Sequence, residues 1–425
     1  MAGVSEPVTL RRALSKWDLT AIGVNQVIGS AIFLLPADVA GRVGAWGPIA
    51  FLAVGLLSLS IALCFAETGS RYDSTGGPIL PAREAFGRFV GFEVGWMLWF
   101  ARVTSHASVV NGLTLALGFY WPAVATGVPR MATIIAVTIV LTWINVRGVK
   151  QSSWVVNALT IGKLAPLAIF ILAGVWFIDP SKLSPLPDVT REQVSSALIL
   201  LIFAYGGYEV TGILAGEANN PKKDVPFAFV AAILIVATVM SLTSLVATGV
   251  LPDVSATRTP LADGAAIFLG AAGAALISAG AVVSMAGNNM GQLLNGSRTL
   301  FALAESRDLP RWFGYVHPAF RTPSNAILFS AVVAIVLALT GSFVTLAAVS
   351  AIARLVMYVA VCMAVLVLRK RAGPAQFTIP FGPAIPILAS VVAFAILAGA
   401  TQAQLIAGVA ALAAGALLYL LAPRS

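Results

Sequence analysis

Charge is what this sequence has least of. Asp, Glu, Lys and Arg make up 10% of its 425 residues against 59% hydrophobic ones. Soluble domains carry about a quarter charged residues, so a soluble globular class is excluded. Cysteine is almost absent: Cys64 and Cys362 both fall inside apolar runs, where they read as small core hydrophobes rather than a disulfide or a thiolate metal centre. Histidine occurs twice, and no metal-ligand cluster or nucleophile and base pair stands out. The glycine pairs 76–77 and 206–207 lack the lysine and the strand context of a phosphate loop. Neither an enzyme, nor a cofactor, nor a metal is expected. The net charge of +9 is spread over short segments between apolar runs, which suits loops beside a membrane and not a nucleic-acid surface.

What is abundant is apolar sequence. Twelve runs are long enough to be expected as crossings of a bilayer, which takes about 20 residues as a helix: about 18–41, 44–69, 88–117, 131–147, 153–178, 193–216, 225–251, 265–291, 324–341, 343–368, 383–401 and 404–421. The polar stretch Met1–Asp18, with Arg11, Arg12 and Lys16, precedes a run too long for a signal peptide, so the first run is expected to stay as an anchor. Outside the runs, 16 Lys and Arg fall on the N-terminal side, among them Lys16, Lys150, Arg369 and Arg424. Five fall on the other: Arg42, Arg130, Lys182, Arg191 and Arg258. Both termini are therefore expected to be cytoplasmic. The linker 292–323, with Trp312, Phe313, Tyr315 and Phe320, reads as an interfacial helix and turn.

Two runs are interrupted at mid-length. Val27-Ile28-Gly29-Ser30-Ala31-Ile32-Phe33 centres the first, and Phe203-Ala204-Tyr205-Gly206-Gly207-Tyr208-Glu209 the sixth. Glycine weakens a helix, and unpaired backbone at membrane depth is tolerated only where it lines a cavity or is buried in protein. Gly-broken segments at matching positions of two halves point to a transporter binding site. A half-helix beginning at such a break presents free amides and the positive end of its dipole to an anion such as a carboxylate.

Five ionisable side chains stand out deep in the runs. Lys163 is about ten positions into the fifth, roughly 15 Å at 1.5 Å per residue. A charged amine at that depth is costly, so it is either a coupling group that exchanges its proton or a fixed cation held by carbonyls. Glu209 is read either as a gating and proton-sensing group or as an anchor for the amides of a broken helix. Arg102 and Arg354 must each face a cavity or a partner, Arg102 either countering an acidic substrate side chain or pairing with Glu209, Arg354 as a structural cation or part of a gate. His106 stands one turn from Arg102 and reads as a core histidine before a proton relay. Phe203, Tyr205 and Tyr208 are candidates for a lid or for plain core.

Several stretches together resemble the amino acid–polyamine–organocation (APC) transporters. They are Gly23 to Pro36 around the first break, Ala66-Glu67-Thr68-Gly69, Gly76-Gly77-Pro78, the sixth-run break leading to Glu217-Ala218-Asn219-Asn220-Pro221, and Ser297-Arg298-Thr299-Leu300-Phe301-Ala302. The resemblance implies an all-α polytopic membrane protein of LeuT type. It would have twelve transmembrane helices (TM1 to TM12), TM1 and TM6 broken, and a five-plus-five inverted repeat: a tail at 1–17, repeats at 18–178 and 193–371, and two added helices at 383–421. It also implies a substrate site. The carboxylate would meet the amides of Gly29, Ser30 and Ala31 and the Ser30 hydroxyl, and the amine the carbonyls of Val27, Phe203, Ala204 and Gly206. Many members read Gly-Ser-Gly where this chain has Ala31, whose methyl would narrow the pocket. The surroundings of Lys163 resemble those of a TM5 lysine that takes the place of a sodium ion. The expected function is sodium-independent amino acid transport across the cell (inner) membrane, by proton-coupled symport or exchange, with the amino acid, protons and the bilayer as partners. An amine or polyamine carrier is the alternative, and a membrane amino-acid sensor or channel the alternative from another class.

Overall fold

A computed structural model describes residues 14–72, 76–148 and 153–422. Arg11, Arg12, Lys150 and Arg424 from the charge count lie outside the described residues. Each apolar run is helical. The first is split into α1 (Lys16–Val27) and α2 (Ala31–Val43), and α3 (Gly47–Gly69) follows. A short α4 (Ile79–Phe86) precedes α5 (Arg88–Leu117), α6 (Gly127–Arg147) and α7 (Ser153–Gly174). The sixth run is split into α8 (Arg191–Tyr205) and α9 (Val210–Ile213). The chain continues through α10 (Pro221–Val250), α11 (Pro260–Glu305), α12 (Ser324–Thr340), α13 (Phe343–Arg371), α14 (Ala384–Ala398) and α15 (Gln402–Leu421).

Helix starts follow local chemistry. Ser15 with Asp18, Thr190 with Gln193, Ser342 with Thr345 and Thr401 with Gln404 form reciprocal capping boxes, each satisfying two amides the helix leaves over. Gly148 ends α6 in the left-handed region, where glycine carries no steric penalty.

Eight stretches among the described residues are long and apolar enough to cross a membrane, so the protein is an all-helical, polytopic membrane protein. The remaining runs fall short for physical reasons. α12 and α14 have 17 and 15 residues, and α2 and α3 form one continuous apolar stretch. α5 carries Arg88, Glu93, Arg102 and His106 because it is interior: from Gly91 to Ala116 nearly every residue is buried, and it packs against α11 and α13. Lipid sees little of it.

The linker expectation is corrected. The stretch 292–305 continues α11, since Leu293, Leu300 and Leu303 bury themselves at helical spacing, and only a short 3-10 turn, Arg311–Gly314, stands apart. α11 also starts earlier than its run, with a sharp bend at Gly270 (φ 67°).

The two ends of the molecule differ. Where α1 begins, Leu14 pairs with Glu217 and Asn219 beyond α9, and charged clamps tie the helices. Buried Asp308 accepts from Arg83 and Arg88, and Arg88 also donates to the carbonyls of Ser306 and Arg307. Buried Glu67 takes both ends of the Arg369 guanidinium at 2.6 and 2.5 Å and the Ile379 amide at 2.8 Å. At the opposite end a vestibule of ≈ 1070 Å³ opens between α2, α5, the end of α12 and the start of α13. Its floor includes Leu34 and Phe343.

Candidate functional site

Both breaks meet in the middle of the molecule. α1 stops at Val27, Ile28 turns extended (φ −72°, ψ 94°), and α2 starts after Ser30, which makes no side-chain cap. The first intrahelical acceptor beyond the break is Ser30 O, taken by the amides of Phe33 and Leu34, so the amides before them are the orphans of a helix start. α8 stops at Tyr205, and Gly207 adopts φ 131°. A Cβ on Gly207 would stand 2.5 Å from the Gln26 carbonyl oxygen and 3.0 Å from the Val27 amide nitrogen, so the two broken segments touch backbone to backbone. Gly207→Ala has no side chain to push aside and is expected to cost at least about 2 kcal/mol from overpacking and strain together, read as a lowered unfolding midpoint of the purified protein.

Beside the first break sits Lys163. Its Nζ donates to the carbonyl of Asn25 at 2.8 Å, to Asn25 Oδ1 at 2.5 Å and to the carbonyl of Ile28 at 3.0 Å. α11 reaches the same strip: Ser284 Oγ donates to Ile28 O (3.2 Å) and Gly29 O (3.1 Å), and Asn288 Nδ2 to Gln26 O (2.7 Å). The carbonyls freed by the break are thus held by an ammonium and two α11 side chains. α11 also approaches Gly29 closely, a Cβ there falling 2.9 Å from the Asn288 amide.

A hydrogen-bonded chain joins this strip to the second break. Asn288 Oδ1 accepts from Gln292, Gln292 Oε1 from Arg102, and Arg102 Nη2 lies 3.3 Å from Glu209 Oε2. Glu209 is fully buried and fully used. Oε2 also takes the Gly207 amide (2.8 Å), and Oε1 takes Arg354 Nη1 (2.7 Å) and the Tyr358 hydroxyl (2.5 Å). Glu209 thus anchors a broken-helix amide and pairs with both Arg102 and Arg354. The Arg354 guanidinium lies against Gly206, where a Cβ would come within 2.5 Å of Cζ, Nε and Nη1.

Between the breaks remains a cavity with free volume ≈ 10 Å³, about the least that admits one water. Val27, Gly29, Ser30, Ala31, Phe203 and Gly206 line it, together with Gln26, Ser105, Asn288, Gln292 and Arg354. Ser30 Oγ, Gln26 Oε1 and Arg354 Nε are buried there without a hydrogen-bond partner. Phe203 meets Phe343 edge to face at 6.1 Å, so this pair and Leu34 stand between the cavity and the vestibule.

Three expected site residues lie elsewhere. Ala204 is buried but does not line the cavity. Tyr205 turns to α3, donating to Phe51 O at 2.7 Å, and Tyr208 stacks on Tyr358 and packs against Phe65 and Phe229. Neither tyrosine lines the cavity: Tyr205, two residues past Phe203 in α8, falls on the opposite side of that helix, and Tyr208 lies beyond its end. His106 turns away from Arg102, its ring nitrogens facing Asn289 O (3.2 Å) and Thr138 Oγ1 (3.3 Å). Ser105, Tyr358 and the α11 residues were not singled out from sequence. Ser284, Asn288 and Gln292 recur every fourth residue of an apolar run, a one-face polar stripe that identifies them.

Residues 14–421 match the profile of the family described as amino acid permease. The chain belongs to the amino acid permease family. The permease is 31% identical over 387 residues to the serine/threonine exchanger SteT of Bacillus subtilis (strain 168), covering 88% of this chain and 87% of that one. It is 30% identical over 410 residues to the methylthioribose transporter of the same organism, with 92% and 88% covered. It is 28% identical over 414 residues to the branched-chain amino acid permease BcaP, again with 92% and 88% covered. Family and relatives are transporters, and the APC resemblance of the motifs is met by a match across nearly the whole permease.

Proposed function

We propose that this permease is a sodium-independent amino acid carrier working by alternating access in the cell membrane. The observation that carries the reading is the position of Lys163. Its ammonium occupies the carbonyls freed at the first break, Asn25 O and Ile28 O, beside Ser284 of α11. A cation fixed there by the chain itself leaves those oxygens with no need of a metal ion.

In this reading the amides of Gly29, Ser30 and Ala31 and the Ser30 hydroxyl take the substrate carboxylate, and the carbonyls at Val27, Phe203 and Gly206 take the amine. Ala204, whose carbonyl was also expected there, does not line the cavity and is left out of the reading. The fold is a LeuT-type arrangement of twelve crossings, with repeats at 18–178 and 193–371 related by inversion and residues 383–421 added. The termini are cytoplasmic. The vestibule then faces outward, the Asp308 and Glu67 clamps close the inner side, and the Phe203 and Phe343 pair is the thin barrier above the site. Tyr205 and Tyr208 act through packing, Glu209 and Arg102 support the hinge of the second break, and Arg354 joins them while bordering the cavity. Coupling is to protons or to a counter-substrate, the second of which a serine/threonine exchanger relative favours.

The test is uptake of a labelled amino-acid panel into proteoliposomes without sodium, with and without an imposed proton gradient, and with or without internal amino acid. Gradient-driven accumulation supports symport, and uptake only against internal amino acid supports exchange. Uptake that requires sodium overturns the reading of Lys163. No uptake of any amino acid overturns the substrate class in favour of amines.

A further inference from the structure

Two guanidinium groups share one carboxylate in the middle of this protein. Arg102 and Arg354 are 0% and 1% exposed, and Glu209, between them, is 0% exposed. Glu209 has no acceptor capacity to spare, with Tyr358 and the Gly207 amide on the same two oxygens. The other near neighbours, Gln292, Ser105 and Tyr358, are neutral. One positive charge is therefore left over, and burying a charge without a counter-charge is costly at membrane depth.

The surplus is presented to the cavity. Arg354 is the one charged side chain among the described residues lining it. Glu209 engages Arg354 through Nη1, leaving the edge made by Nε and Nη2. Nε has no partner, and Nη2 donates to Ser105 Oγ at 2.9 Å. Ser105 also lies 2.8 Å from Ser350 Oγ, so it keeps a partner if Nη2 turns to another acceptor. An Nε and Nη2 edge is the geometry that receives a carboxylate through two parallel bonds. We propose that Arg354 is the side-chain specificity residue of this permease, and that its substrate is an amino acid bearing a second carboxylate. The inference rests on the amino acid reading above: the first carboxylate goes to the orphan amides of α2, the second to Arg354.

The approach to the site carries the same sign. Arg42, Arg130 and Arg258 line the vestibule against a single acid, Asp38. Arg130 is fixed there by the carbonyl of Gly341 (3.1 Å) and by Asn111, and Arg258 is exposed. A concave positive surface raises the local concentration of anions and repels polyamines.

The test compares uptake of aspartate and glutamate with that of their amides, asparagine and glutamine, which match them in shape and lack the charge. The wild-type permease is expected to favour the acids about tenfold or more, as a buried charge-assisted pair commands. In Arg354→Gln the ratio falls to about one, and Arg354→Lys restores part of it. Arg354→Gln leaves Glu209 with Arg102 and Tyr358, one charge against one, so it retains a paired core, and a gel-filtration profile checks that it is folded. A wild-type ratio of one or less overturns the proposal whether or not the variants fold. So does an Arg354→Gln variant in which acids and amides fall by one common factor. Uptake of neutral amino acids without acid preference sinks the proposal and spares the carrier reading, whereas uptake of none sinks both.

Discussion

Glu209→Gln will leave Arg102 and Arg354 buried side by side without their shared carboxylate, and the permease will lose about 3–5 kcal/mol of stability. The loss is larger than a hydrogen-bond count suggests, because the amide still offers an oxygen to Arg354 or Arg102 but no charge. Two cations with no anion within hydrogen-bonding reach cannot both stay in a site where each is no more than 1% exposed. The variant is expected to be recovered in much lower yield after solubilisation and to melt well below wild type. Pairing the change with Arg354→Gln should return much of the stability, since the double variant buries a single arginine beside neutral partners. A double variant no more stable than Glu209→Gln alone would show that charge balance is not what Glu209 supplies.

Lys163→Ala will cut gradient-driven uptake on the order of 100-fold with a smaller loss of fold. Three acceptors, two of them backbone carbonyls at the first break, lose their donor at once. Hydrogen bonds to a charged group contribute about 1.5–3 kcal/mol. A loss near the top of that range lowers the population of the binding-competent break on the order of 100-fold. Uptake should fall accordingly, and so should substrate-induced thermal stabilisation. The two roles open for this lysine separate here. If exchange against internal amino acid persists while gradient-driven accumulation is lost, Lys163 is the coupling group; if both vanish, it is a fixed cation that shapes the break. Retention of more than about a tenth of wild-type uptake in both modes contradicts the population argument.

Both helix breaks were legible because glycine, at mid-run, is a local signal: the chain gives way at 28–30 and 206–209, as Gly29 and Gly206-Gly207 indicate. Lys163 was legible for a similar reason, as a charge about ten positions inside a hydrophobic run. The ion-pair group was legible only in pieces. Arg102, Glu209 and Arg354 each stood out as too costly to leave alone, but their partnership joins positions 107 and 145 residues apart, a relation no local pattern carries. The tyrosines took the second of their two readings, packing. Tyr205 stands two residues from Phe203 in α8, a spacing that puts them on opposite sides of a helix, and Tyr208 lies past the glycines that end it. Along α11, the polar stripe of Ser284, Asn288 and Gln292 obeyed helical spacing throughout and was there to be found.

A bilayer crowded with idle copies of this permease stays electrically tight. Where the two breaks meet, the free volume is ≈ 10 Å³, room for about one water, and a conducting file of waters needs a continuous string of them. Above it stand Leu34 and the Phe203 and Phe343 rings, and below it the helices are tied by Arg83, Arg88 and Arg369 to buried acids. These constrictions separate the vestibule from the clamped end. A membrane can therefore hold many such carriers in reserve without leaking through them.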